Sequence, residues 1–292
     1  MAGTDWEERI TSDTNPGVRI EHEVRYRFAA PLIREAPVWC DLGCGNGLAA
    51  ASALDGPISG RAVLIDFAEH VLRQAEREIE AAAVVTLQAD LTSDDELRSV
   101  RDALAAEGGA GGCVTCFEVI EHLSTFVPLV ETLVELAERH DFTVALSVPN
   151  DAFWSIENPF HQTMWGEGAF EELRRLLPAD HVVGHQFALQ GSLAVREREP
   201  AARQTVEFEA PAGAAPTHFL VGLGPSAPRL TAAAAVGEAD LVERRRWERE
   251  RESDLAFLKS LEAELTRSRS YIRELEGRLG QPVSSAGRDD SA

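Results

Sequence analysis

The chain has 292 residues, 44% of them apolar, enough for one large domain with its own core and something smaller beside it. No apolar run reaches the ~18 residues that a membrane-spanning helix needs, and the acidic start MAGTDWEERITSDT lacks the basic and apolar parts of a secretory signal. The net charge of −21 is uneven: ten basic and ten acidic side chains cancel in 239–280, one Arg meets two Asp in 281–292, and residues 1–238 carry −20. Such a domain argues against a nucleic-acid partner, because phosphates are neutralised by Lys and Arg.

Residues 1–17 read as a flexible lead-in, and the apolar spacing predicts a helix over 19–34. VWCDL (38–42) is a buried strand running into glycines, and 48–54 restarts a helix. Strands over 61–66, 84–90, 112–120 and 142–150 then alternate with helices over 70–82, 95–108 and 127–140. That alternation predicts an α/β, doubly wound, mostly parallel sheet. A helix over 168–177 precedes strands 182–189 and 218–224, whose Pro- and Ala-rich connection predicts an antiparallel end. The main domain is placed at 18–225 and a linker at 226–240. Leu258, Leu261, Leu265, Ser268, Ile272, Leu275 and Leu279 follow alternating three- and four-residue steps, which predicts a coiled-coil helix over 241–280. A disordered tail, 281–292, follows. The cysteines Cys40, Cys44, Cys113 and Cys116 lie in or beside apolar strands, so Cys113-x-x-Cys116 reads as buried thiols rather than half a zinc site. The pattern fits a reducing, cytoplasmic setting.

The first strand ends at Asp41 and enters Gly43-x-Gly45-x-Gly47, where backbone can approach a ligand closely. Asp66 ends the second strand and can accept both hydroxyls of a ribose. A dinucleotide-binding fold shows a similar fingerprint, but the spacing here is G-x-G-x-G. A third acid, Asp90, ends the third strand within reach of an adenine amino group.

Together, DLGCGNG, VLIDFA, LQADLT and CFEVIEHLS resemble class I S-adenosylmethionine-dependent methyltransferases over roughly residues 20–224. The resemblance implies a Rossmann-like, seven-stranded sheet with a reversed last strand and S-adenosylmethionine across the carboxyl ends of the first strands. It implies Asp66 on the ribose, Asp90 and the Leu91 backbone near adenine, and Asp41, Gly43 and Gly45 near the methionine moiety. The stretch His22-Glu-Val-Arg25-Tyr26 resembles the lead-in helix of bacterial glycan or sugar O-methyltransferases, which places Tyr26 by the donor. Glu118-Val-Ile-Glu121-His122 also resembles the ubiquinone-biosynthesis type.

The acceptor is expected beyond the fourth strand. His122 is the candidate general base, with Glu118 beside both donor and acceptor and His161 as a further catalytic candidate. A segment Glu157-Asn-Pro-Phe-His161-Gln-Thr-Met-Trp165 suggests an acceptor lid. Glu118, Glu121, His122 and His161 can converge on a divalent metal, Mg or Mn. The metal-dependent enzymes that methylate the terminal ribose of small RNAs show a similar set. The leading expectation is O-methylation of a sugar hydroxyl on a nucleotide sugar, glycan or glycosylated metabolite. Quinone-type or other small-molecule O-methylation is the alternative, and RNA terminal methylation ranks below it. The coiled coil implies a homo-oligomer or a partner helix. Deleting 241–280 is therefore expected to lower the particle mass in light scattering while leaving a folded domain that still binds donor.

Overall fold

The computed structural model describes residues 14, 16–107, 111–154, 158–188 and 214–233 of a first unit, Met1–Gly237, and residues 261 and 265–269 of a second, Glu238–Ala292. Of the second unit, Leu261 and residues 265–269 are helical, with Leu261 and Leu265 about half exposed. The remaining heptad positions apart from Ser268, the linker beyond residue 233 and the tail lie outside the described residues.

In the first unit the elements run α1 (Pro16–Glu35), β1 (Val38–Leu42), α2 (Leu48–Leu54), β2 (Ile58–Asp66), α3 (Glu69–Glu78), β3 (Ala81–Gln88), α4 (Asp94–Glu107) and β4 (Gly112–Phe117). A 3-10 turn, Ile120–His122, leads to α5 (Val127–Arg139), β5 (Phe142–Pro149), α6 (Asp151–Trp154), α7 (Glu167–Arg174), β6 (Val182–Gln186) and β7 (His218–Leu223). The seven strands form one sheet in the order β3-β2-β1-β4-β5-β7-β6. All neighbours are parallel except β7, which runs against both β5 and β6. The antiparallel end expected from the sequence is therefore present. No described helix is long and apolar enough to cross a membrane.

Strand alternation divides the core between two faces. Val38, Cys40, Leu42, Val114 and Cys116 pack with α4, α5 and α7. Trp39, Ala62, Leu64, Cys113 and Phe117 point the other way, onto α1, α2 and α3. Cys113 and Cys116 thus face opposite sides of the sheet, and all four thiols are free and buried. Burial raises the pKa of each, first and foremost by desolvating the thiolate.

Two sequence expectations move. The helix expected over 70–82 stops at Glu78, because Ala81–Gln88 pairs along β2, with Ala81 opposite Ile58. Three consecutive alanines favour a helix locally, but an open edge on β2 offers a full ladder of backbone hydrogen bonds. The strand expected over 112–120 ends at Phe117, because Glu118 takes a left-handed φ of 54° and turns the chain aside.

The glycine loop after β1 is shaped by what surrounds it. Gly43 has a φ of 71°, and a Cβ there would meet Val119 Cγ2 at 2.4 Å. Gly47 has a φ of 77° and backs onto Ala75 at 3.1 Å. Gly45, φ 55°, has nothing within 4 Å of its would-be Cβ, so it lines open space. Gly43→Ala should lose about 2 kcal/mol of stability in urea denaturation through strain and overpacking. Val119→Ala in the same chain should recover part of that loss.

Candidate active site

The parallel strands bring their carboxyl ends to one edge, the usual ligand edge of such a sheet. Asp41 and the glycine loop stand after β1, Asp66 after β2 and Asp90 after β3. The N–H groups of Gly43 and Cys44 donate to the Ile65 carbonyl at 2.8 and 3.0 Å, which clips the loop to β2. Asp66 braces the same loop: Oδ2 accepts from the Gly45 N–H at 3.1 Å and Oδ1 from the Ala68 N–H at 3.0 Å. Asp90 is exposed and accepts from both the N–H and the hydroxyl of Thr92, which lower its pKa. Leu91 beside it is buried.

Asp41 is 1% exposed and sits on the α1 side of the sheet. Its Oδ1 accepts from the Thr115 hydroxyl at 2.6 Å and its Oδ2 from the Tyr26 hydroxyl at 2.9 Å. Trp39 Nε1 donates in turn to Thr115 Oγ1 at 2.8 Å. Tyr26, expected beside the donor, is thus committed to Asp41, with its ring edge-on to Phe117. Burial pushes the Asp41 pKa up to about 7, against the two hydroxyl donors, which pull it down.

The acceptor half gathers around the 3-10 turn. Ligand-capable atoms of Glu121, His122 and His161 lie within 4.8 Å of one another. His122 Nδ1 is 3.2 Å from the Phe160 carbonyl, which can only accept, so Nδ1 carries the hydrogen and Nε2 keeps its lone pair. His161 Nδ1–H donates to Asp151 Oδ1 at 2.9 Å, and its Nε2 accepts from the Asn158 amide at 3.0 Å. Asp151 Oδ2 also accepts from the Trp165 N–H at 2.6 Å. The Glu121 carbonyl accepts from the N–H groups of Gln162 and Thr163, tying this loop to the turn.

The Glu121 carboxylate is buried, and neither oxygen has a hydrogen-bond partner. Burial, then the nearby Glu118, push its pKa well above the ordinary carboxylate range. A carboxylate stripped of water and left bare is costly, and a cation removes that cost. The imidazoles of His122 and His161 beside it would supply nitrogen ligands to a divalent metal, His161 Nε2 being the nitrogen that the Asn158 amide now meets.

Glu118, expected as a fourth ligand, is not brought to this cluster. Its Oε1 accepts from the Ser147 hydroxyl at 2.8 Å, and Oε2 lies 3.2 Å from His218 Nε2 and 3.9 Å from Arg25 Nη2. Burial alone would raise its pKa, but Arg25 and His218 outweigh it and hold the group well below the ordinary range. Trp165 is also not part of a lid. It is 2% exposed and packs against Phe126 in the core, whereas Phe160 and Met164 are exposed. Glu157 lies outside the described residues. Sequence reasoning missed Ser147, Asp151 and His218. Asp151 carried a usable signal, a carboxylate just after the end of β5; His218 did not, because β7 enters the edge in reverse.

No protein-family model and no curated protein sequence matches the chain. Solved structures align with it. The small RNA methyltransferase HEN1 does so over 78% of this chain and 28% of its own, at 16% identity and a TM-score of 0.48. A SAM-dependent methyltransferase from Archaeoglobus fulgidus aligns over 70% of this chain and 93% of its own, at 13% identity and a TM-score of 0.45. The N-methyltransferase NodS from Bradyrhizobium japonicum WM9 aligns over 72% and 97%, at 13% identity and a TM-score of 0.42. The chain thus spans well under half of the HEN1 structure. Its own sheet, seven strands with a reversed β7, has the form that the sequence resemblance implied.

The Asp41 pKa has a consequence for stability. An unfolded Asp titrates near ~4, below the folded value of about 7. Below that lower value both states hold the proton. As pH rises through the interval the unfolded chain releases it first, so stability falls towards pH 7 and then levels. Urea midpoints of the wild type and Asp41→Asn should diverge in favour of the variant across this window, on top of a constant offset from the altered hydrogen bonds.

Proposed function

We propose that this chain transfers a methyl group from S-adenosylmethionine to a hydroxyl of a sugar, with a divalent cation at Glu121, His122 and His161. The observation that carries the reading is the bare, buried carboxylate of Glu121 beside two oriented imidazoles at the carboxyl edge of the sheet. The open face of Gly45, braced by Asp66, supports donor binding on the β1–β2 side of that edge.

In the reaction the acceptor oxygen forms a bond to the methyl carbon while the carbon–sulfur bond breaks and its electrons return to sulfur. The hydroxyl proton must also leave, and with both imidazoles turned to the cation it passes to solvent water. A bound cation supplies Lewis acidity that lowers the pKa of a coordinated hydroxyl. The chain's own part is to aim the His122 and His161 nitrogens, through Phe160 and Asp151, and to hold the acceptor near the sulfonium. Exposed aromatic side chains lie nearby in sequence and structure: Phe153 and Trp154 on α6, and Phe160 in the loop that carries His161. Flat apolar surface with one polar edge suits the face of a sugar ring. An RNA end offers sugar hydroxyls too, but residues 1–238 carry −20 and contain no lysine.

Chelator should abolish methyl transfer, and Mg²⁺ or Mn²⁺ should restore it. His122→Ala and His161→Ala should each lower kcat by about 100-fold or more with donor affinity in calorimetry unchanged. Labelled-methyl transfer should appear in glycan or glycoside fractions. Transfer that ignores chelator and survives both substitutions would leave the three residues as scaffolding, and label confined to RNA would overturn the acceptor.

A further inference from the structure

His161 is held at both ring nitrogens, by partners of opposite kind. Its Nδ1 lies 2.9 Å from Asp151 Oδ1, and its Nε2 lies 3.0 Å from the Asn158 amide nitrogen. The Asn158 amide is fixed from its other end, where Oδ1 accepts from the Phe160 N–H at 3.0 Å. Its nitrogen therefore faces the ring, and because an amide nitrogen only donates, Nε2 has to accept. The single hydrogen of a neutral imidazole is then left on Nδ1, where the carboxylate takes it. Asp151 is buried at the start of α6, and its Oδ2 takes the Trp165 N–H at 2.6 Å. One end of the ring is thus set by a buried carboxylate with both oxygens engaged. The other is set by one neutral amide on a half-buried loop residue.

We infer that Asp151 and Asn158 are opposed positioning residues for the cation. Asp151 keeps the hydrogen on Nδ1 of His161 and so the lone pair on Nε2; Asn158 occupies that lone pair until the ion displaces it. The inference rests on the cation reading above and adds to it the two groups that set how tightly His161 takes part. An imidazole binds a cation only through a bare nitrogen, and a carboxylate behind the ring makes that nitrogen more basic. A hydrogen bond from a neutral amide is weaker than coordination to a divalent ion, so the exchange runs towards the ion. It still subtracts from the affinity, because the amide contact is given up first. Asn158 serves the second histidine as well. The Phe160 N–H that it accepts belongs to the residue whose carbonyl meets His122 Nδ1 at 3.2 Å. One asparagine thus reaches both imidazoles, His161 directly and His122 through Phe160, and holds the empty site in the shape that the ion needs.

The test titrates Mn²⁺ alone into the full chain, without donor or acceptor, and follows the free ion by electron paramagnetic resonance. Binding that disappears in His161→Ala is the binding counted. Asp151→Asn should weaken it by about 10-fold or more. The Trp165 N–H only donates, so it draws the new amide oxygen; the amide nitrogen then faces Nδ1 and moves the ring hydrogen to Nε2. Asn158→Ser should tighten the same binding by about 3- to 5-fold, the worth of one neutral hydrogen bond. Serine keeps an oxygen for the Phe160 N–H in the same kind of turn and lacks the amide donor. A merely structural role would weaken binding in both variants, so the opposite signs carry the inference. The wild-type ring supplies a readout that needs no variant: nitrogen NMR of the metal-free chain should find the His161 hydrogen on Nδ1. A hydrogen on Nε2, or Mn²⁺ binding that Asn158→Ser weakens or leaves unchanged, would overturn the assignment while leaving the cation reading intact. Wild-type protein with no His161-dependent Mn²⁺ binding would overturn the cation reading and this one with it.

Discussion

The Asp41 carboxylate, buried between β1, β4 and α1, takes one hydrogen bond from Thr115 and one from Tyr26. Through it the last turn of β1 is tied sideways to its neighbouring strand and upward to the covering helix. The glycine loop leaves from that tie, and its first two N–H groups are clipped to β2. The position of the loop, the orientation of Tyr26 and the placing of Arg25 one residue before it all follow from this one buried group. Burying a carboxylate without a cation is tolerable only because both oxygens are satisfied, and its raised pKa measures what is left uncompensated.

The turn after β4 distributes polar groups in the opposite way. A left-handed Glu118 stops the strand and starts a short 3-10 turn. The reversal sends Glu118 towards α1, β5 and β7, where Arg25, Ser147 and His218 meet it. Three residues later the Glu121 carboxylate, with no hydrogen-bond partner at either oxygen, lies beside His122 and His161. Glu118 is hydrogen-bonded and faces Arg25 and His218, whereas neither Glu121 carboxylate oxygen has a hydrogen-bond partner and its near neighbour is His122 Nε2 at 3.9 Å. This asymmetry gives one short turn of chain two unlike environments, a hydrogen-bonded and positively charged one at Glu118 and a buried one at Glu121 whose carboxylate oxygens lack hydrogen-bond donors.

Loop 158–165 completes the second side by backbone contacts. Its amides grip the Glu121 carbonyl, its Phe160 carbonyl orients His122, and Asp151 holds both His161 and the amide of Trp165. Trp165 anchors the far end of the loop in the core. The histidines are thus oriented by main chain and a buried carboxylate, groups with little freedom to drift.

The sequence by itself determined the sheet and the edge that carries its glycines and acids. Apolar runs at VWCDL, RAVLID and FTVALSVPN can be buried only as central strands, and the glycines and acids that end the first two mark where the chain must turn and can meet a ligand. The Pro- and Ala-rich composition of the connection before β7 predicts a loop in place of a crossover helix, so the reversal of β7 was legible too. Local pattern misled at Ala81–Ala83, where helix propensity yields to pairing with β2. The tertiary structure alone decided the fates of Glu118 and Glu121, which the sequence presents as one motif. Their partners, Arg25, Ser147 and His218, come from an N-terminal helix, a mid-sheet strand and a strand entering in reverse, and a φ of 54° sets which acid each group can reach. Spacing along a chain records local periodicity; it does not record which distant charges share a buried space, and that sharing separates the two acids here.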